Sequence, residues 1–414
     1  MSSPATVTAW RDAYADIAHR LSRDAPRAEQ MLTGTSACID AIFHISPERM
    51  SRLAAAAHTV PATADDARGR ELVAKLLERV YAGRGGEILT RWSGGPPWVL
   101  SVLGEPDRRQ LGGTGPQASW ALAVVGAPSV LALADRSAAQ LAVIDGRTGV
   151  CVDRSVRPAG SVAPSGEPTK LLHCILEFGA GTPLGEGIVP RSTRLILRFG
   201  DEPIERDEQF AALTPTIPGV RAGLLSGLNG LPDSDVDSRD WLMRLGRSWA
   251  DAGVRVIHQE LAEFPSPERL RHALDIRVAT SIGLSLSELF ALSGRRDDPR
   301  LLARDVAERA GATRVIVHAD DFALAVHHDP DPDPTNVLLA GSVLAAARAR
   351  AGQPSDDLVP PDEATLTDDL PASGPLGDGW RATSVPSPYL RRPAATVGLG
   401  DTFVAGVLLA ESLP

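Results

Sequence analysis

The stretch Ala395-Thr396-Val397-Gly398-Leu399-Gly400-Asp401-Thr402-Phe403-Val404-Ala405-Gly406 decides the reading of this 414-residue chain. Two glycines ahead of an acid, followed at once by an apolar run with small residues, predict a tight loop that opens a helix. Glycine lets backbone approach a ligand closely, and the bare N–H groups at a helix start attract an anion. An oxyanion therefore fits at Gly398 and Gly400. Beside an anion the Asp401 carboxylate is of no use as an electrostatic partner, but it can take a proton from an attacking hydroxyl. That combination suits phosphoryl transfer to an alcohol. The competing reading is that Asp401 only caps the last helix.

Composition narrows the rest. The chain is long enough for one large domain with an insertion or for two to three ordinary domains. A formal charge of −10 argues against nucleic acid or an anionic membrane as a general partner, so a phosphate site has to be local. Cys38, Cys151 and Cys174 are an odd set without a CxxC pair; neither a disulfide framework nor a zinc site is expected, and a reducing cytoplasm is the simpler setting. The N-terminus lacks an apolar signal core, and the most apolar stretch, Trp120 to Ala134, is interrupted by Gly126 and Pro128. A cytoplasmic protein is the expectation.

Working outward, residues 5 to 22 place Trp10, Tyr14, Ile17 and Leu21 on one helical face. Met31 to Ile45 reads as one buried strand with Asp40 at or near its end. Ligands in open α/β sheets gather at carboxyl strand ends, so Asp40 is a candidate for binding hydroxyls, or simply a turn residue. Residues 47 to 84 have helical periodicity that breaks at Gly83-Arg-Gly-Gly-Glu87, where Glu87 by itself reads as a solvated loop acid. Gly112 and Gly113 precede a helix at Ser119 to Val125 and allow backbone contact with a small polar ligand. Residues 170 to 178, with His173, and 193 to 199, with Arg194, alternate as strands do. Val254 to Glu260 is a strand ending in His-x-Glu, and Ser285-Leu-Ser-Glu288 follows soon after. Two carboxylates at successive strand ends can hold Mg²⁺ through its water shell; otherwise they are surface acids. Arg314 to Val326 reads as a strand pair that includes His318. His327-His328-Asp329 is not a chelate, because neighbours on a strand face opposite sides. Asn336 to Gly352 is an Ala-rich helix, and residues 353 to 392 read as long loops.

Taken in order, these motifs resemble those of the ADP-dependent glucokinase and phosphofructokinase family of the ribokinase-like superfamily, over about residues 33 to 413. The matching motifs are TVGLGDTFVAG, Asp40, the Gly-rich segment ending in Glu87, Gly112-Gly113, His173, Arg194, His-x-Glu260, Glu288 and the strand carrying His318. Ser36 and Cys38 replace the family's two Asn residues before Asp40, Thr193 replaces another, and Ser285 a fourth.

The resemblance implies an α/β fold, a three-layer α/β/α sandwich with a smaller, segmentally inserted β-rich lid. The large domain would comprise 1–41, 105–165 and 206–414, and the lid 42–104 and 166–205. It further implies a Mg²⁺-dependent kinase that moves a phosphoryl group from ADP or ATP to a sugar-like hydroxyl. Asp401 is then the base, with Gly398 and Gly400 stabilising the transferred group. Asp40, Glu87, Gly112, Gly113 and His173 bind the acceptor. Arg194, His318, Val397 and Gly398 meet the nucleotide, and Glu260 and Glu288 position the metal. Two alternatives stand beside this reading: a sugar-binding protein that has lost catalysis, and a nucleoside kinase.

Overall fold

A computed structural model describes residues 4–184, 187–202, 204–232, 234–262, 264, 266–328 and 334–414. Among these, the strands make one eleven-stranded sheet, one five-stranded sheet and a two-stranded ribbon. The large sheet has a parallel centre, in the order Gly149–Val152, Ser129–Leu131, Met31–Thr33, Ala222–Leu225, Val256–Glu260, Ser281–Ser285 and Arg314–His318. Ala222–Leu225 and the Val315–Val317 centre of the last parallel strand are buried, continuous apolar runs, as strands covered on both faces require. Antiparallel strands finish both edges, Ser155–Pro158 on one side and Phe322–His328, Trp380–Pro386 and Gly374–Gly377 on the other.

Helices cover both faces of this sheet. Leu242, Leu245 and Trp249 of the helix Val236–Asp251 pack on one face with Leu302 and Val306 of Pro299–Ala310. On the other face lie Pro4–Asp24, Thr114–Val124, Thr335–Ala351 and Leu399–Ser412, with Tyr14, Leu122, Leu344 and Leu408 in one core. The last two helices cross closely because small residues line the crossing. A Cβ on Gly406 would overlap the Ala340 carbonyl, and one on Gly341 would come within 2.7 Å of the Phe403 ring. No helix among the described residues is long and apolar enough to cross a membrane.

The small sheet runs Gly86–Leu89, Thr193–Arg198, His173–Phe178, Cys38–His44 and Arg108–Gly112. It has its own core, in which Phe43, Leu176 and Leu197 meet Leu53 and Leu76 from the helices Pro47–His58 and Ala64–Tyr81.

Several expectations are corrected here. Met31 to Ile45 is two strands in two sheets, joined by a turn at 34–37, so Asp40 stands mid-strand in the small sheet and not at the end of a large-sheet strand. The small sheet also takes 108–112, which the sequence reading gave to the large domain along with 38–41. Residues 353 to 392 contain a β-hairpin that extends the large sheet, where Pro and Asp density had suggested loops. His327 is buried and His328 exposed, the alternation expected of a strand; Asp329 lies outside the described residues.

Candidate active site

The loop of the opening motif sits where the two sheets meet. Gly398 ends it with φ +75°, a left-handed conformation that L side chains rarely adopt, and serves as N-cap of Leu399–Ser412 without offering a side chain to its amides. A Cβ there would overlap the guanidinium of Arg348. Gly400 in turn rests over the His318 ring, where a Cβ would lie 3.1 Å from Cε1.

Arg348 is fully buried beneath this loop. It donates from Nη1 to Gln117 Oε1 at 2.7 Å and to Thr402 Oγ1 at 3.0 Å, and its Cζ lies 5.6 Å from the Trp120 ring centroid. Its Nε and Nη2 have no hydrogen-bond partner among the described residues. Burial brings the guanidinium down to about 10, opposed by the nearby charge of Asp401. Nothing in the sequence reading picked out this residue. The available signal was its position two turns after Gly341 on an otherwise apolar helix, which puts it on the face that meets the last helix.

Asp401 is half-buried in the first turn of that last helix. Burial raises its pKa, against the pull of Arg348, a hydrogen bond with Thr114 and the charge of Arg194. The charge of Asp40 raises it further from across the cleft. Arg194 reaches the same site from the small sheet, and its Nε is likewise buried without a partner among the described residues. One carboxylate therefore faces two guanidiniums at the head of an uncapped helix, where positive charge and bare amides converge.

Behind this lie two further carboxylates. Glu260 ends its strand buried, 3.0 Å from His258 Nε2 and 3.2 Å from His318 Nε2. Gly283 on the adjacent strand makes room, since a Cβ there would overlap Glu260. Burial raises the Glu260 carboxyl, opposed by His258, and Asp401 raises it further. Glu288 is pushed up to about 7 by burial, against the charge of His318, with Glu260 adding to the rise. Its carboxylate accepts from Ser285 N at 2.6 Å while Ser285 Oγ accepts from Glu288 N at 3.3 Å, a capping box that gives Ser285 a definite role. His318 is pushed down by burial, opposed by Glu288, and backs the loop as a partner of Glu260 and Phe403.

The expected acceptor residues cluster on the small sheet. Asp40 lies against Gly112, whose missing side chain leaves room for the carboxylate, and His173 is its cross-strand neighbour. Gly113, at φ +93°, lets the chain pass the Ser36 carbonyl. Glu87 is on a strand, not in a loop: Arg198 Nη1 donates to it at 2.8 Å, and so does Asn229 Nδ2, from the short turn Leu228–Gly230 after the strand Ala222–Leu225, at 3.3 Å. Ser226 Oγ donates to the Gly34 carbonyl at 2.6 Å and accepts from Gly115 N and Thr35 N, tying three segments together beneath the cleft.

Val397 departs from expectation. Its side chain is buried with Ile42, Ile175 and Ile196 of the small sheet, and Glu177 Oε1 accepts from Thr396 N at 2.9 Å and Val397 N at 3.2 Å. It fastens the loop to the second sheet and is not presented to a ligand, because the loop crosses the seam between the sheets at this point.

A parallel sheet covered by helices on both faces, with anion-gathering loops and carboxylates at its strand ends beside an inserted second sheet, defines a phosphotransferase of ribokinase-like architecture with an alcohol group as acceptor. The chain belongs to the ADP-specific phosphofructokinase/glucokinase family, whose conserved region matches residues 29–373. It is 21% identical over 448 residues to the ADP-dependent glucose/glucosamine kinase of Pyrococcus furiosus, covering 97% of this chain and 98% of that one. It is 26% identical over 290 residues to the ADP-specific phosphofructokinase of Thermococcus litoralis, covering 58% and 62%. Among solved structures, an ADP-dependent kinase in complex with fructose-6-phosphate and ADPβS superposes with a TM-score of 0.77 at 21% identity, over 99% of this chain and 98% of that one.

Proposed function

We propose that this chain transfers the terminal phosphoryl group of ADP to a hydroxyl of a sugar or sugar-like acceptor, with Asp401 as the base. The observation that carries the reading is the half-buried Asp401 at the head of an uncapped helix, between Arg348 and Arg194 and opposite Asp40. The acceptor hydroxyl is held from the small sheet by Asp40, Glu87 and His173, with Gly112 and Gly113 giving backbone access. Asp401 takes its proton as the oxygen commits. The amides around Gly398 and Gly400 and the two guanidiniums stabilise the charge on the transferred group.

The carboxylates at positions 260 and 288 fit a hydrated Mg²⁺. Burial raises both carboxyls and the charge of Glu260 adds to the rise at Glu288, so a cation between them would favour their ionised forms; Mg²⁺ is commonly held by one or two carboxylates and water. When bound, the ion would supply charge neutralisation between phosphates. ADP as donor is supported by the family and by the relatives named above. Ser285, in the place of the family's Asn, caps the helix that carries Glu288, and no observation of the site specifically favours a binding-only protein or a nucleoside kinase.

A panel of hexoses, hexose phosphates, pentoses and nucleosides offered with Mg²⁺-ADP and Mg²⁺-ATP side by side tests the reading. Acceptor-dependent formation of AMP is expected. Acceptor-dependent turnover with ATP alone would overturn the donor assignment, and ligand-induced thermal shifts without nucleotide turnover would overturn the enzyme.

A further inference from the structure

The small sheet holds a second set of ligand-type side chains, remote in sequence but adjacent in space. Cys38 and Asp40 are two residues apart on one strand and face the same side, and the parallel register sets His173 beside Asp40. Cys38 Sγ lies 3.4 Å from His173 Nδ1 and 3.7 Å from Asp40 Oδ1, and His173 Nδ1 lies 3.5 Å from Asp40 Oδ1. All three residues are buried, and they form the one group of three potential metal ligands found among the described residues.

The spacing is that of a tetrahedral site before its ion enters. Bonds of about 2.3 Å to sulfur and about 2.0 Å to nitrogen and oxygen imply ligand-to-ligand edges of about 3.5 Å for sulfur pairs and about 3.3 Å for the nitrogen–oxygen pair. Each observed edge agrees to about 0.2 Å, so an ion enters with little movement. The surroundings are also those of a ligand set: His173 Nε2 pairs with Glu202, which turns Nδ1 toward Cys38 and Asp40, and Arg198 Nη2 holds Glu202 at 3.5 Å.

We propose that Cys38, Asp40 and His173 bind a thiophilic divalent cation of the zinc class, with water in the fourth place. The sulfur distinguishes such an ion from Mg²⁺, which prefers oxygen ligands. On binding, the Cys38 S–H bond breaks, the metal–sulfur bond forms and the proton leaves to solvent. The Nδ1–H bond of His173, whose proton lies between Cys38 and Asp40, breaks as well and that second proton leaves to solvent, freeing the Nδ1 lone pair for the metal while Nε2–H stays directed at Glu202. The two anionic ligands balance the charge of the ion, and no electron is transferred. This site does not depend on the phosphotransfer reading, although an ion here occupies two of the side chains assigned to the acceptor.

Cobalt(II) titration of chelator-stripped full-length protein, without nucleotide or acceptor, tests it. One equivalent is expected to produce a near-ultraviolet sulfur-to-cobalt charge-transfer band together with visible bands of tetrahedral intensity, both displaced by zinc. Cys38→Ser is expected to lose the charge-transfer band, and Cys174→Ser, altered on the same sheet outside the cluster, to retain it. Glu202→Gln leaves every ligand in place and keeps the test decisive if Cys38→Ser does not fold: the cobalt dissociation constant should rise about ten- to hundredfold. No charge-transfer band at one equivalent, a band that survives Cys38→Ser, or undiminished affinity in Glu202→Gln would each overturn the site. Failure of phosphotransfer in the acceptor panel would leave this result untouched.

Discussion

Replacing Glu288 with Gln probes the carboxylate pair directly, from its partly exposed member. The Glu288 carboxyl stands at about 7 against an ordinary value of 4.5, chiefly because burial penalises its ionised form. At about 1.36 kcal/mol per unit this corresponds to about 3 kcal/mol, and partial exposure reduces the expected effect to about 1–3 kcal/mol. The folded protein holds this proton to higher pH than the unfolded chain does. Metal-free wild type therefore loses stability as pH rises from about 4.5 through about 7, and the penalty is complete above that. Gln resembles the neutral acid and keeps an oxygen to accept from Ser285 N. Urea denaturation in EDTA should therefore find Glu288→Gln more stable than wild type by about 1–3 kcal/mol at pH 8 and nearly equal to it at pH 5. Adding Mg²⁺-ADP should narrow the gap at pH 8, because only the wild type retains the carboxylate. If the variant is destabilised equally at both pH values, the carboxyl carries no unrelieved charge and the argument for a cation there fails.

Asp401→Asn should lower kcat about 10²–10⁴-fold with the acceptor KM changed less than threefold, since the amide keeps shape but cannot take a proton; steady-state kinetics giving a kcat within tenfold of wild type would remove the base. The same assignment sets a pH limb. Because burial raises the Asp401 carboxyl, kcat should fall on acidification at a higher pH than an ordinary carboxylate would give, and a flat profile down to pH 4.5 would contradict it. Gly398→Ala should lose about 2–4 kcal/mol of stability by thermal or chemical denaturation and most of its activity, as φ +75° and the guanidinium of Arg348 both reject a side chain; wild-type stability would show the loop adapts freely.

The parts of this protein legible in sequence are those written locally. The Gly-Leu-Gly-Asp loop, the helix after it, the strand ending in Glu260 and the Ala-rich helix are each fixed by periodicity or by a turn over a dozen residues. The division into sheets was not legible: Met31 to Ile45 reads as two apolar runs separated only by the short Gly34-Thr35-Ser36 break, and the turn there sends its halves to different sheets. Arg348 escaped for a related reason. Its importance comes from Gly398, fifty residues away, and on the Ala-rich helix only the two-turn spacing from Gly341 separates it from the partly exposed Arg350. The cluster at Cys38 depends on strand register, which places His173 beside Asp40 across more than a hundred residues of chain. Ser285 looked like a damaged motif and is a helix cap, because hydroxyl and carboxylate exchange hydrogen bonds over the same three-residue span.

Glu177 bears on how the cleft works. Its carboxylate takes two amides of the loop that precedes Gly398, while Val397 is seated among isoleucines of the opposite sheet. Drawing the sheets apart must break both hydrogen bonds and wet the valine, a cost on the order of 5 kcal/mol. Under the proposed function, the loop that would cradle the phosphate is thereby coupled to the position of the other sheet: with the sheets apart it would lose its tether and its shape together, and water arriving before the acceptor would meet an unassembled cradle.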